Sequence, residues 1–83
     1  MSHFFYLARC ADNSLYAGYT IDIAEREKKH NLGKGAKYTA GRRPVQIIYS
    51  EEFETQREAM QREREVKRWS KSRKEKLITG VFF

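Results

Sequence analysis

Little in these 83 residues suggests secretion or a membrane. The single cysteine, Cys10, has no partner for an internal disulfide and no companions for a thiolate metal cage, which favours a reducing interior. No apolar run is long enough to cross a bilayer. The opening segment, Met1 to Ala8, is apolar but short, has no basic lead-in or small-residue cleavage site, and is followed at once by Arg9. A cytoplasmic protein without membrane contact is expected. Linkers, repeats and low-complexity stretches are missing too, and the length suits one cored domain, 1–83, rather than two. A catalytic module of this size must share its body with whatever holds its substrate.

Hydrophobic residues make up 40% of the chain and aromatics 13%, so a small packed core is within reach and compositional disorder is not expected. The net charge of +6 is concentrated in two blocks. Residues 34–43 carry +4 through Lys34, Lys37, Arg42 and Arg43, and residues 66–83 carry +5, with Lys67, Arg68, Lys71, Arg73, Lys74 and Lys76 against one acid. Such blocks attract polyanions by releasing condensed counterions, which makes nucleic acid the first partner to consider. Solvated helix faces carry similar runs.

His3 to Arg9 and Leu15 to Thr20 have strand composition and flank the turn cluster Asp12-Asn13-Ser14, which predicts a β-hairpin. Alternation places Phe4, Tyr6 and Ala8 on one side of the first strand, and Tyr16, Gly18 and Thr20 on one side of the second. In aligned register both tyrosines face one layer, a pairing that also simply stabilises hairpins by about 0.2–1 kcal/mol. Asp22, with Glu25 three residues on, opens a helix that Gly33 ends. Ile23, Arg26, Glu27 and His30 share one of its faces, so that face borders a polar site or the helix is largely exposed.

Residues 33–43 hold three of the five glycines and end before Pro44, which reads as a loop able to approach phosphates. The lysine-plus-hydroxyl ending of a nucleotide-binding P-loop is absent. Val45 to Tyr49 is a third strand, Thr55 and Glu58 open a long helix to about Trp69, and Ser70 to Ile78 forms a short basic helix, with Val81-Phe82-Phe83 as an apolar end. On the long helix Glu63 falls within the stripe of Ala59, Met60 and Val66. A core-facing carboxylate costs several kcal/mol unless paired or bound to a cation. Two explanations stay open: an ion pair with an arginine such as Arg26, or a metal ligand.

In order and spacing these residues resemble the GIY-YIG family of nuclease domains, especially its small stand-alone bacterial branch. Phe4-Phe5-Tyr6 stands at the first family tripeptide and Tyr16-Ala17-Gly18 at the second. Arg26 and His30 take the first-helix positions, Glu63 that of the metal-binding glutamate, and Asn31 to Thr39 resembles a segment of the stand-alone branch. The resemblance implies an α+β fold with a three-stranded antiparallel sheet flanked by helices, in the order β-β-α-β-α-α. It also implies hydrolysis of nucleic-acid phosphodiester bonds, DNA before RNA, with one divalent ion, Mg2+ or Mn2+, held by Glu63. Tyr6 or Tyr16 would orient or deprotonate the attacking water, Arg26 would stabilise the charged phosphorus, and His30 would assist proton transfer. Lys34, Lys37, Arg42, Arg43, Lys67, Lys71 and Lys74 would contact nucleic acid, and a protein partner could supply substrate recognition. A tyrosine base calls for a pKa lowered from about 10 to about 7, worth about 4 kcal/mol, and hence for activity that rises with pH. The family's late asparagine has no counterpart after Glu63, where Ser72 and Lys74 are the candidate replacements.

Overall fold

The computed structural model describes residues 1–80. The expected apolar end, 81–83, lies outside the described residues. The architecture is α+β, with β1 (His3–Arg9), β2 (Leu15–Thr20), α1 (Ile23–Asn31), α2 (Lys37–Ala40), β3 (Gln46–Phe53), α3 (Gln56–Lys67) and α4 (Lys71–Thr79). The antiparallel sheet runs β2-β1-β3, so the central strand is the first one made. Alternation along β1 sorts two cores. Phe5 and Leu7 pack with Ala17, Val66 and Leu77 under α3 and α4, while Tyr6, Ala8, Cys10 and Val45 pack on the other face with Tyr16 and Ile23. Phe5 and Leu7 are fully buried, each worth about 1.5–3 kcal/mol.

Local chemistry sets the boundaries. In the hairpin turn, Asp12 accepts the Ser14 amide and Asn13 takes φ 69°, a left-handed conformation that asparagine tolerates. Asp22 accepts the Glu25 amide at 3.0 Å and starts α1. Only half of a capping box forms, because the Asp22 amide donates instead to Thr20 Oγ1. Gly33, at φ 79°, ends α1 through bonds from its own amide to His30 O and from Lys34 N to Lys29 O. Thr55 and Ser70 cap α3 and α4 in the same way as Asp22.

The structure departs from the sequence expectations in two places. The 33–43 segment is not all loop, since α2 forms one short helix within it. β3 runs four residues beyond Tyr49 to Phe53, because the full length of β1, from His3 to Arg9, offers it pairing partners. The acidic Ser50-Glu51-Glu52 run hid that extension, and Glu51 is accommodated by Arg62, whose Nε lies 2.8 Å away.

Helix α1 is anchored to β3 by polar side chains. The Asn31 amide donates to Val45 O at 2.8 Å and accepts from Val45 N at 2.7 Å, imitating a neighbouring strand. One turn earlier, Glu27 accepts the Ile47 amide at 2.8 Å. These two residues fix the helix that carries Arg26 and His30. Replacing Asn31 with Ala strands both Val45 backbone groups and is expected to cost about 1–3 kcal/mol. That corresponds to a fall in Tm of about 4–8 °C per kcal/mol, and calorimetry showing no fall would refute the anchoring role.

Candidate active site

In the hairpin register, Tyr6 lies opposite Gly18 and Ala8 opposite Tyr16, so both phenols occupy one face, their rings 6.3 Å apart. The absence of a side chain at Gly18 makes room for Tyr6, since a Cβ there would lie 2.5 Å from the tyrosine Oη. Tyr6 is 1% exposed. Burial, the nearby Tyr16 and the Glu63 carboxylate all push its pKa up, with Arg26 opposing them. The lowered pKa expected of a tyrosine base is therefore not found at Tyr6, because a desolvated phenol beside a carboxylate resists ionisation.

His30 is fully buried behind Tyr6, and its ring is held at both nitrogens. Nε2 lies 2.6 Å from Tyr6 Oη and Nδ1 lies 2.8 Å from Thr39 Oγ1. The Thr39 hydroxyl donates its one hydrogen to Ala36 O, so it accepts from His30 and the proton sits on Nδ1. Nε2 is left as the acceptor for the Tyr6 hydroxyl. Burial, helped by the Arg26 charge, lowers the His30 pKa and keeps the ring neutral. Gly35 closes the arrangement, as a Cβ there would lie 2.3 Å from Nδ1. Thr39 and Gly35 were not singled out individually in the sequence. Their only signals are membership of the 31–39 segment and of the glycine-rich run 33–43.

Glu63 and Lys67 lie on α3, whose Val66 packs on the opposite face of the sheet with Phe5 and Leu7, and Lys67 approaches Tyr16 of the edge strand β2. Lys67 Nζ sits 5.7 Å from the Tyr16 ring centroid and 3.5 Å from Glu63 Oε2. Of the two explanations left open for Glu63, the ion pair with an arginine such as Arg26 does not form among the described residues, where its contact is a long one with Lys67. The Glu63 side chain is 16% exposed and close enough to act electrostatically on Tyr6. Among the described residues no cluster of three or more His, Cys, Asp or Glu forms a metal cage. One accessible carboxylate fits a magnesium-like ion, which keeps several waters and takes further oxygens from a phosphate, and does not fit a zinc cage.

Between the elements runs a groove of about 420 Å3 lined by Leu15, Tyr16, Ala17, Ala36, Tyr38, Lys67 and Lys74. Tyr38 stacks on Tyr16 with ring centroids 6.0 Å apart, and Arg42 covers Tyr38 at 4.0 Å. Burial and the neighbouring Lys67 lower the Lys74 pKa, so two ammonium groups converge on one wall. Of the two candidates for the late-asparagine position, Lys74 lines this groove, whereas Ser72 is an exposed residue at the start of α4.

The other expected phosphate contacts divide. Lys34 and Lys37 are exposed. Arg42 is instead committed to Asp12 and Tyr38 O, and Arg43 to Ala40 O and Asn31 O, because these guanidiniums hold the glycine-rich segment against the hairpin and α1. Lys71 pairs with Glu75 at 2.8 Å. Glu75, which also takes a bidentate pair from Arg9, is held down to about 2. Its depressed pKa contributes stability that is present above its ordinary value of 4.5 and lost as pH falls towards about 2.

The buried relay makes a spectroscopic prediction. In 15N NMR, His30 should show a protonated Nδ1 and an unprotonated Nε2, and Thr39→Val should abolish that single tautomer and cost about 1–3 kcal/mol by orphaning Nδ1–H. A wild-type ring protonated at Nε2 would contradict the assignment.

The chain is similar to known proteins over most of its length. The model of the GIY-YIG catalytic domain matches residues 2–76. A UPF0213 protein of Bacillus velezensis is 58% identical over 77 residues, spanning 93% of this chain and 78% of its own. One from Staphylococcus aureus is 51% identical over 77 residues, spanning 93% and 94%. Among solved structures, a UPF0213 protein from Bacillus halodurans aligns with TM-score 0.60 at 47% identity, covering 95% of this chain and 84% of that one. A protein from E. faecalis aligns with TM-score 0.64 at 44% identity, covering 96% and 85%. A family match over nearly the full length, on a sheet that brings both tripeptide tyrosines to one face, makes this chain a member of the GIY-YIG catalytic domain family.

Proposed function

We propose that this protein is a divalent-metal-dependent endonuclease that hydrolyses phosphodiester bonds in nucleic acid, DNA before RNA. The observation that carries the proposal is the buried chain Tyr6–His30–Thr39, set within electrostatic reach of both Arg26 and Glu63. A structural core has no need of a neutral histidine aimed at a phenol beside an arginine and a carboxylate. Phosphodiester hydrolysis uses all four.

The residues divide the work. Tyr16 lines the groove and orients the attacking water. Tyr6, whose raised pKa excludes a standing phenolate, takes a proton from water only as it hands its own to His30 Nε2. The product is an imidazolium whose Nδ1–H stays bonded to Thr39. Arg26 offsets the negative charge that develops on phosphorus. Glu63 would hold the Mg2+ or Mn2+ ion, which supplies Lewis-acid polarisation of a phosphate oxygen and charge neutralisation at the leaving group. Lys67 and Lys74 bind flanking phosphates along the groove wall.

The decisive comparison is wild type against Glu63→Ala on labelled branched, nicked and single-stranded DNA, with and without Mg2+. Metal-dependent cleavage by wild type alone is expected. Binding without cleavage on every substrate would leave a nucleic-acid-binding module in its place. Tyr6→Phe should lower kcat by about 10²–10⁴. The relay also sets the pH profile. His30 acts as the base in its neutral form and its pKa lies below 6.5, so kcat/KM should fall as pH drops through that lowered pKa and level off above it. A rate still climbing tenfold per pH unit above neutrality would point to a free phenolate or hydroxide base instead.

A further inference from the structure

The cations of α3 and α4 do not all face the groove. Arg64 and Arg68 directly follow Glu63 and Lys67 in sequence, so their stripe lies about 100° further around α3. Together with Arg73 of α4, Gln61, Glu65 and Trp69 they line a shallow concavity of about 740 Å3. Arg64, Arg68 and Arg73 are exposed and make no ion pair with a carboxylate among the described residues. The one acid of the concavity, Glu65, is engaged by Arg62 at 2.6 Å. Trp69 forms the floor, with the Arg73 guanidinium 3.9 Å from its ring centroid. By contrast, Arg9, Arg42, Arg62, Lys67 and Lys71 all have carboxylate partners. An uncompensated trio of guanidiniums, planar forks suited to phosphate oxygens, calls for a polyanion.

We infer that this patch is a second nucleic-acid contact, gripping the phosphodiester backbone where the strand leaves the groove and crosses the C-terminal end of α3. The inference rests on the nuclease reading only in taking the polymer in the groove to be nucleic acid. It gives the protein a footprint longer than its catalytic groove. Substrates of a few nucleotides would then fill the groove without touching the patch, and longer ones would engage both.

Binding by fluorescence anisotropy tests this without cleavage, in the Glu63→Ala background and without divalent metal. The probes are a labelled oligonucleotide of about 30 nucleotides and one of about five, each titrated over a range of salt. For Arg64→Gln with Arg68→Gln, both exposed positions, the slope of log K against log salt should become shallower by about 1.4–1.8 with the long probe. The short probe should be unaffected, and Arg64→Lys with Arg68→Lys should keep the wild-type slope. An unchanged slope, or an equal loss with both probes, overturns the inference. Wild-type cleavage alongside an unchanged slope would sink the patch and spare the nuclease. A shallower slope from a protein that cuts nothing would do the reverse.

Discussion

The hydrogen bond from Tyr6 to His30 is the constraint around which the rest of this small domain is arranged. Placing a phenol and an imidazole in the interior demands partners for every polar atom, and none among the described buried side chains lacks one. The surrounding residues can be read as consequences. Gly18 leaves space for the phenol ring, Gly35 for the imidazole, and Thr39 takes up the far nitrogen while passing its own hydrogen to Ala36. Asn31 and Glu27 then hold α1 against β3, so that His30 meets Tyr6 in a fixed geometry.

Burial gives this pair its chemical character. A phenol in the interior loses acidity and an imidazole there loses basicity, so each stays neutral at rest, while the hydrogen bonds through Thr39 leave His30 Nε2 as the acceptor facing the phenol. In the proposed reaction the tyrosine therefore acts through its neighbour and not as an anion. Of the residues given a role in the proposed reaction, Tyr16, Lys67 and Lys74 line the groove, whereas Tyr6 and His30 are buried behind it.

Much of this could be read from the residues alone. The hairpin and the shared tyrosine face followed from strict alternation around a turn cluster, and both capped helices from Asp22 and Thr55. Glu63 stood out because a carboxylate in an apolar stripe needs a reason. What could not be read was non-local. No spacing rule connects Thr39 or Gly35 to His30, since one hydroxyl and one missing side chain acquire meaning only after the loop folds back. The direction of the Tyr6 pKa depends on its 1% exposure, which composition does not disclose. Arg42 and Arg43 looked like phosphate ligands because they are cations in a glycine-rich run, whereas backbone carbonyls and Asp12 claim them.

The proposed site requires a carboxylate of α3, beneath one face of the sheet, and two phenols on the other to meet around the β2 edge. Titrating Mn2+ into 15N-labelled protein tests it directly, because the paramagnetic ion broadens resonances around its binding position. Broadening is expected to centre on Glu63, to extend to Tyr6, Tyr16 and Arg26, and to disappear in Glu63→Ala. Broadening that spares the two tyrosines, or that survives the loss of Glu63, would contradict the proposed site.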